Sequence, residues 1–130
     1  MSRRLDDLSD RFRPLAFELL ARLVEARIMV VIVDTRRTEA EHAANLAKGA
    51  SWTKASKHLT GDAIDIAPFE IYQLYGPDKL QWNSDDPVWQ PIGQIGEHLG
   101  LRWGGRWRRR DMGHFEFVEA NGRTWMVADE

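Results

Sequence analysis

Ser56-Lys57-His58-Leu59-Thr60-Gly61-Asp62-Ala63-Ile64-Asp65-Ile66 is a small, polar stretch that passes through a glycine into an alternating segment. Glycine adopts turn conformations that other residues resist, so Gly61 is a natural reversal point. Ala63-Ile64-Asp65-Ile66 then alternates as a strand does. A turn at Gly61 folds the chain back so that the His58 imidazole and the Asp65 carboxylate converge. Both are groups that zinc accepts as ligands.

Upstream, Ile28-Met29-Val30-Val31-Ile32-Val33 is short and largely β-branched, and reads as a central strand. Before it, Leu5, Leu8, Phe12, Leu15, Leu19, Leu20 and Leu23 recur every three or four residues. That spacing predicts a helix over about residues 5 to 26, bent or restarted at Pro14. Thr38 followed by Glu41 is a capping-box pattern, opening a short alanine-rich helix that Gly49 can end. Downstream, residues 68 to 88 hold three prolines, Gly76 and several turn formers, and read as a long irregular connection. A helix is expected from about Trp89 to His98 with Gly100 closing it. Turns at Gly104-Gly105 and Asn121-Gly122, with strand-like Phe115, Phe117 and Val118, complete the chain. The sum is α+β: one compact domain over residues 1–130, with a small, mostly antiparallel sheet flanked by helices.

The formal charge of -2 and pI near 6.1 give no global attraction for nucleic acid or an anionic membrane. Without cysteine there is neither a disulfide framework nor a thiolate, and any metal must be held by imidazole and carboxylate. The longest apolar run, Ile28 to Val33, is far shorter than the roughly 20 residues that cross a bilayer. Stable membrane insertion is therefore not expected. Met1 to Pro14 is charged and lacks an apolar core segment, so the expectation is a protein made in the cytoplasm without a Sec-type signal peptide.

Of four histidines, His42 and His98 fall in expected helices and read as surface or half-buried imidazoles. His114 differs, lying in Asp111-Met112-Gly113-His114-Phe115-Glu116-Phe117 at the start of a strand between two acids. It can join His58 and Asp65 as a third ligand. Two imidazoles and one carboxylate leave a divalent ion with net positive charge, enough to acidify water and polarise a carbonyl. Asp111 and Glu116 are both candidates for the general base, and spacing favours neither. Asp111 can instead pair with adjacent arginines, and Glu116 can serve as acceptor for a ligand histidine. Arg37, following the apolar strand, can hold a carboxylate or an oxyanion, or pair with Glu39 or Glu41 at the surface. Ser56 can be present for turn geometry alone.

Residues 56–65 resemble the S-x-H-x-x-G-x-A-x-D signature of the D-Ala-D-Ala carboxypeptidase/L-alanyl-D-glutamate endopeptidase family, the VanY- and VanX-like zinc peptidases that include phage endolysins. Asp111-Met112-Gly113-His114 resembles its second element, an acid three residues before the last ligand. Thr35 to His42 is similar to the upstream R-[ST]-x-x-E-Q segment, and Leu101 to Trp107 to the L-x-W-G-G-x-W run. The four ordered elements cover most of residues 35 to 117. The resemblance implies Zn2+ held by His58, Asp65 and His114, with Asp111 as general acid/base. It implies that Arg37 binds the substrate or its developing oxyanion, and that Ser56 faces the substrate. His42 stands where the family usually has glutamine, and some members carry glutamate at the position of Asp111.

Arg106-Trp107-Arg108-Arg109-Arg110 is the strongest basic cluster and supports a rival reading, single-stranded nucleic-acid binding by charge and stacking. The acidic balance of the chain argues against it. A second rival keeps the metal but not the activity, as a zinc-containing wall-binding protein. The expectation is a monomeric zinc peptidase of the peptidoglycan stem peptide with no nucleic-acid partner. It would cut as an L-alanyl-D-glutamate endopeptidase or a D-Ala-D-Ala carboxypeptidase, reaching the wall from the cytoplasm through a holin-type lesion if it is a phage protein.

Overall fold

The computed structural model of the protein describes residues 2–49, 56–69 and 79–119. Its elements are α1 (Arg13–Glu25), β1 (Val30–Asp34), α2 (Glu39–Ala47), β2 (Ala63–Pro68), α3 (Trp89–His98), β3 (Arg102–Trp103) and β4 (His114–Glu116), with 3-10 turns at Leu5–Asp7, Lys57–Thr60 and Gly104–Arg106. The strands form one antiparallel sheet in the order β1-β2-β4-β3. This is the expected α+β architecture.

Side chains on a strand alternate between faces, and the register sorts this sheet into two unlike surfaces. Ile64 pairs with Phe115 and Trp103 with Phe115, so these three share one face. That face packs against α1 and α3 in a core containing Phe12, Leu19, Leu23, Trp89 and Ile92. Asp65 pairs with His114, Ala63 with Glu116 and Asp34 with Asp65, so the opposite face collects the polar groups. The core holds the strands in register, and the register places the acids and the imidazole side by side.

Two expectations are corrected. The expected restart at Pro14 is observed, but the first part of the 5–26 helix is only a 3-10 turn: the helix proper starts at Arg13, with Pro14 in its first turn, where a missing N–H leaves no hydrogen bond unmade. The Ser9 N–H is committed to the Gly61 carbonyl at 2.9 Å, tying residues 8–12 to the reversal after His58 instead of to a continuous helix. The β-branched run forms an edge strand, not a central one. Val30 and Ile32 pack on the core from only one side of the sheet, which is enough to explain their apolar character.

The capping box at Thr38 and Glu41 is formed, and α3 spans Trp89–His98 as expected, with Gly100 at φ 84 just past its end. The turn expected at Asn121-Gly122 lies outside the described residues, as does the middle of the 68–88 connection. Among the described residues, no helix is long and apolar enough to cross a membrane.

Candidate metal centre

His58 comes from the Lys57–Thr60 turn, which three interactions shape. The Ser56 hydroxyl accepts the His58 N–H at its start, Gly61 closes it in the left-handed region at φ 76, and the Arg37 N–H donates to the His58 carbonyl at 3.0 Å. A Cβ on Gly61 would stand 2.8 Å from Ser9 N, so both the backbone angle and the space call for glycine. On the other side, Gly113 lets the loop before β4 close onto β2. A Cβ there would lie 2.1 Å from the Ile66 carbonyl oxygen.

The result is a tight group. One ligand atom from each of His58, Asp65 and His114 lies within 4.8 Å of the others. His58 Nε2 is 3.2 Å from Asp65 Oδ2, and His114 Nδ1 is 3.0 Å from Asp65 Oδ1. Carbonyl and carboxylate oxygens only accept, and that assigns the ring protons. His58 Nδ1–H donates to the Thr35 carbonyl at 2.6 Å, and His114 Nε2–H donates to Glu116 Oε1 at 2.8 Å. Nε2 of His58 is thereby left facing Asp65 without a proton, while the second ring nitrogen of His114, Nδ1, makes its own hydrogen bond to Asp65 Oδ1.

Burial alone would raise the Asp65 carboxyl, but the charges and hydrogen bonds of His58 and His114 hold it well below the usual range. Burial likewise opposes charge on His114, and hydrogen bonds to Asp65 and then Glu116 overcome it, raising the imidazole well above its ordinary value. Two imidazole nitrogens and a carboxylate oxygen converging at this spacing form a donor set that a divalent cation can use. His58 Nε2, buried and without a hydrogen-bond partner despite its 3.2 Å approach to Asp65, is the clearest sign, because a lone pair there needs a ligand. Ligand atoms around a zinc ion, each about 2.0 to 2.2 Å from it, would be separated by roughly the spacing seen here. These residues fit a zinc ion.

Glu116, one of the two candidate bases, is fully buried, on the side of the His114 ring away from Asp65. Its Oε2 lies 3.3 Å from Lys57 Nζ and 3.5 Å from Arg102 Nη1. It therefore braces the His114 ring and does not face the exposed side. Trp107 covers the same imidazole, with ring centroids 4.9 Å apart. Asp111 is the more exposed acid, at 41% of its side chain, with Oδ2 4.0 Å from His114 Nδ1. Burial and then the Asp65 charge raise its carboxyl above the usual range, against the pull of His114, His58 and Arg37. A carboxyl beside this group and open to solvent is placed to exchange protons with what binds there.

Arg37 makes neither of the surface pairs the sequence offered. Its Nε donates to Asp34 Oδ2 at 2.6 Å, and its Nη2 lies 3.6 Å from Asp65 Oδ2. Asp34 is buried at the end of β1 and was not singled out from sequence; the signal available was an acid ending an apolar run three residues before the arginine. The Thr35 carbonyl, Lys57 and Arg102 were also missed, since backbone acceptors and long-range ion pairs leave no local pattern. His42 is buried, not superficial, with Nδ1 3.4 Å from Arg37 Nη1, whereas His98 is exposed as expected. The basic cluster is drawn apart: Arg106 is bidentate on Glu97, and Arg110 reaches Asp85.

An α+β domain with a His-Asp-His group able to hold a metal ion, flanked by a carboxyl and a guanidinium, defines the layout of a metal-dependent hydrolase. The chain belongs to the D-alanyl-D-alanine carboxypeptidase family of peptidases, whose sequence model matches residues 49–117. It is 42% identical over 84 residues to the L-alanyl-D-glutamate peptidase of Escherichia phage T5, covering 58% of this chain and 57% of that one. It is 33% identical over 103 residues to the L-alanyl-D-glutamate peptidase of Listeria phage A118, covering 79% of this chain and 35% of that one. The chain thus spans about half or less of these relatives' lengths. Its fold is similar to that of the L-Ala D-Glu endopeptidase ChiX of Serratia marcescens, with TM-score 0.64, 20% identity and coverage of 88% of this chain and 83% of the other.

Proposed function

We propose that this protein is a zinc peptidase that hydrolyses the L-alanyl-D-glutamate amide in the peptide stem of peptidoglycan. The observation that carries the reading is the convergence of His58 Nε2, Asp65 and His114 Nδ1, with Asp111 beside them on the exposed side. The names of the two phage relatives support the choice of bond.

A zinc ion held by His58, Asp65 and His114 would polarise the scissile carbonyl and acidify a water molecule. Asp111 takes the proton from the attacking water as its oxygen bonds to the carbonyl carbon. It returns that proton to the amide nitrogen as the C–N bond breaks, releasing a carboxylate and an amine. Arg37, braced by Asp34, donates to the oxygen that becomes negative. Ser56, buried at the start of the His58 turn, caps that turn by accepting the His58 N–H, and in this reading its O–H is offered to the substrate. The same proposal has the protein made in the cytoplasm and acting on the wall after release, by a holin-type route if it is a phage product.

The test is digestion of purified peptidoglycan with mass spectrometry of the fragments. Wild type, a chelated sample and Asp111→Ala are compared, with metal content measured in each. Stem fragments from wild type alone, while Asp111→Ala retains its zinc, support the reading, and their masses separate the L-Ala-D-Glu bond from the D-Ala-D-Ala terminus. Metal without hydrolysis would favour an inactive wall-binding protein, and no metal would refute the proposal.

A further inference from the structure

A cleft of about 170 Å³ opens directly beside the candidate centre. Asp65 and Asp111 line it together with Trp82, Ser84 and Arg110. The proposed mechanism uses only the two acids.

The arginines near this site are not equally committed. Arg37 is held by Asp34 and Arg106 by Glu97, carboxylates whose side chains are 3% and 9% exposed. Arg110, itself 49% exposed, pairs at 3.1 Å with Asp85, which is 79% exposed. A solvent-facing ion pair of this kind adds little stability, so Arg110 can exchange Asp85 for another carboxylate readily. Its planar fork suits a carboxylate bound through two parallel hydrogen bonds. Trp82, more than half exposed, gives the same cleft an apolar wall for the carbon chain that carries such a group.

The position of Asp111 says which part of a substrate would enter. Asp111 delivers a proton to the departing nitrogen, so the cleft it lines lies on the leaving-amine side. In an L-alanyl-D-glutamate amide that nitrogen is bonded to the glutamate Cα. A stem continuing through the γ-carboxyl leaves the α-carboxylate free, attached to that same Cα. An anion therefore has to be accommodated within a few bonds of the proton that Asp111 transfers. We propose that Arg110 is a specificity-determining residue that reads this α-carboxylate, with Trp82 packing on the glutamate methylenes. The proposal rests on the peptidase reading above.

The experiment compares kcat/KM on two synthetic stem peptides, one with the free glutamate α-carboxylate and one with it amidated, for wild type and for Arg110→Ala, Arg110→Lys and Asp85→Ala. Circular dichroism of each variant checks its fold. Wild type is expected to prefer the free acid by roughly 10- to 100-fold, the range for a hydrogen bond between charged groups. Arg110→Ala brings the ratio close to one, Arg110→Lys restores part of it, and Asp85→Ala, which removes the competing carboxylate, raises it a few-fold. A wild type that cuts both peptides equally, or an Arg110→Ala ratio equal to that of wild type, overturns the role of Arg110 and leaves the peptidase reading intact. A wild type that cuts neither peptide removes both.

Discussion

His114 has two sides, and they are built differently. Behind the ring lies a closed floor: Glu116 is fully buried, Lys57 and Arg102 approach its far oxygen, and Trp107 covers the imidazole. In front is an open mouth: Asp111 is partly exposed, Arg110 and Asp85 pair in solvent, and Trp82 stands out from the surface. On the floor the buried Glu116 carboxylate is held between the His114 imidazole and two cations. Ligand geometry needs that rigidity, because an imidazole free to rotate loses affinity for a metal. At the mouth the groups keep access to solvent and can change partners, which proton transfer and substrate exchange require. Under the proposed function, groups that hold would lie behind His114, and groups that react or select would lie in front of it.

The contrast can be broken or sharpened by experiment. The largest effect is expected from chelation or His58→Ala, which should remove hydrolysis by 10³-fold or more, with zinc restoring the chelated sample. Full activity in a metal-free sample would remove the basis for distinguishing floor from mouth. Next, Asp111→Asn should lower kcat by roughly 10² to 10⁴ while zinc content and thermal midpoint stay at wild-type values. Loss of zinc in that variant would make Asp111 a ligand and move it to the holding side. Glu116→Ala should do the reverse. A weakening of metal affinity by roughly 10- to 100-fold is expected, with a stability loss on the order of 3 kcal/mol from leaving Lys57 and Arg102 facing an empty site. A chelator competition titration and denaturant unfolding measure the two, and Glu116→Gln, which can still accept from His114, should recover most of the affinity.

The smallest effect concerns Asp62, whose carboxylate anchors the His58 reversal to the N-terminal segment. Burial opposes its ionisation, but hydrogen bonds from Arg11, Ser9 and Thr60 and the charge of Arg11 bring its pKa from 3.8 down to about 2. A depressed carboxylate stabilises the fold above its unfolded pKa, and that contribution fades as pH falls from about 4 toward 2. It amounts to about 2 kcal/mol. Unfolding free energies at pH 6 and pH 2 for wild type and Asp62→Asn should differ by that amount at the higher pH and converge at the lower. A constant gap would mean that Asp62 acts through packing instead of charge.

Much of the candidate site was legible from local pattern. The turn at Gly61, the strand after it and the strand start at His114 are short-range features that point to His58, Asp65 and His114, while Asp111 stands level with Glu116 on spacing and is set ahead only by the family resemblance. The α3 boundaries and the Thr38 capping box were readable for the same reason, since a helix cap involves residues three positions apart. Other features were not local. Whether Leu5 to Leu23 makes one helix or two was settled by Ser9 bonding to Gly61, a contact across more than fifty residues. The edge position of β1 depends on β4 pairing with the other side of β2. The choice between Asp111 and Glu116 depended on which side of His114 each acid occupies, a consequence of strand register and packing.

By itself the sequence determined the chemical inventory and its local geometry: two imidazoles and two acids at turn and strand spacings, no thiols, and an apolar pattern sufficient for one α+β core. Only the tertiary structure decided which acid braces and which faces solvent, that Arg37 leans on Asp34, and which ring nitrogen of each histidine points inward. The physical reason is that hydrogen bonding and burial depend on neighbours in space. In this sheet the decisive neighbours, Asp65 with His114 and Lys57 with Glu116, are brought together by strands and turns far apart in the chain.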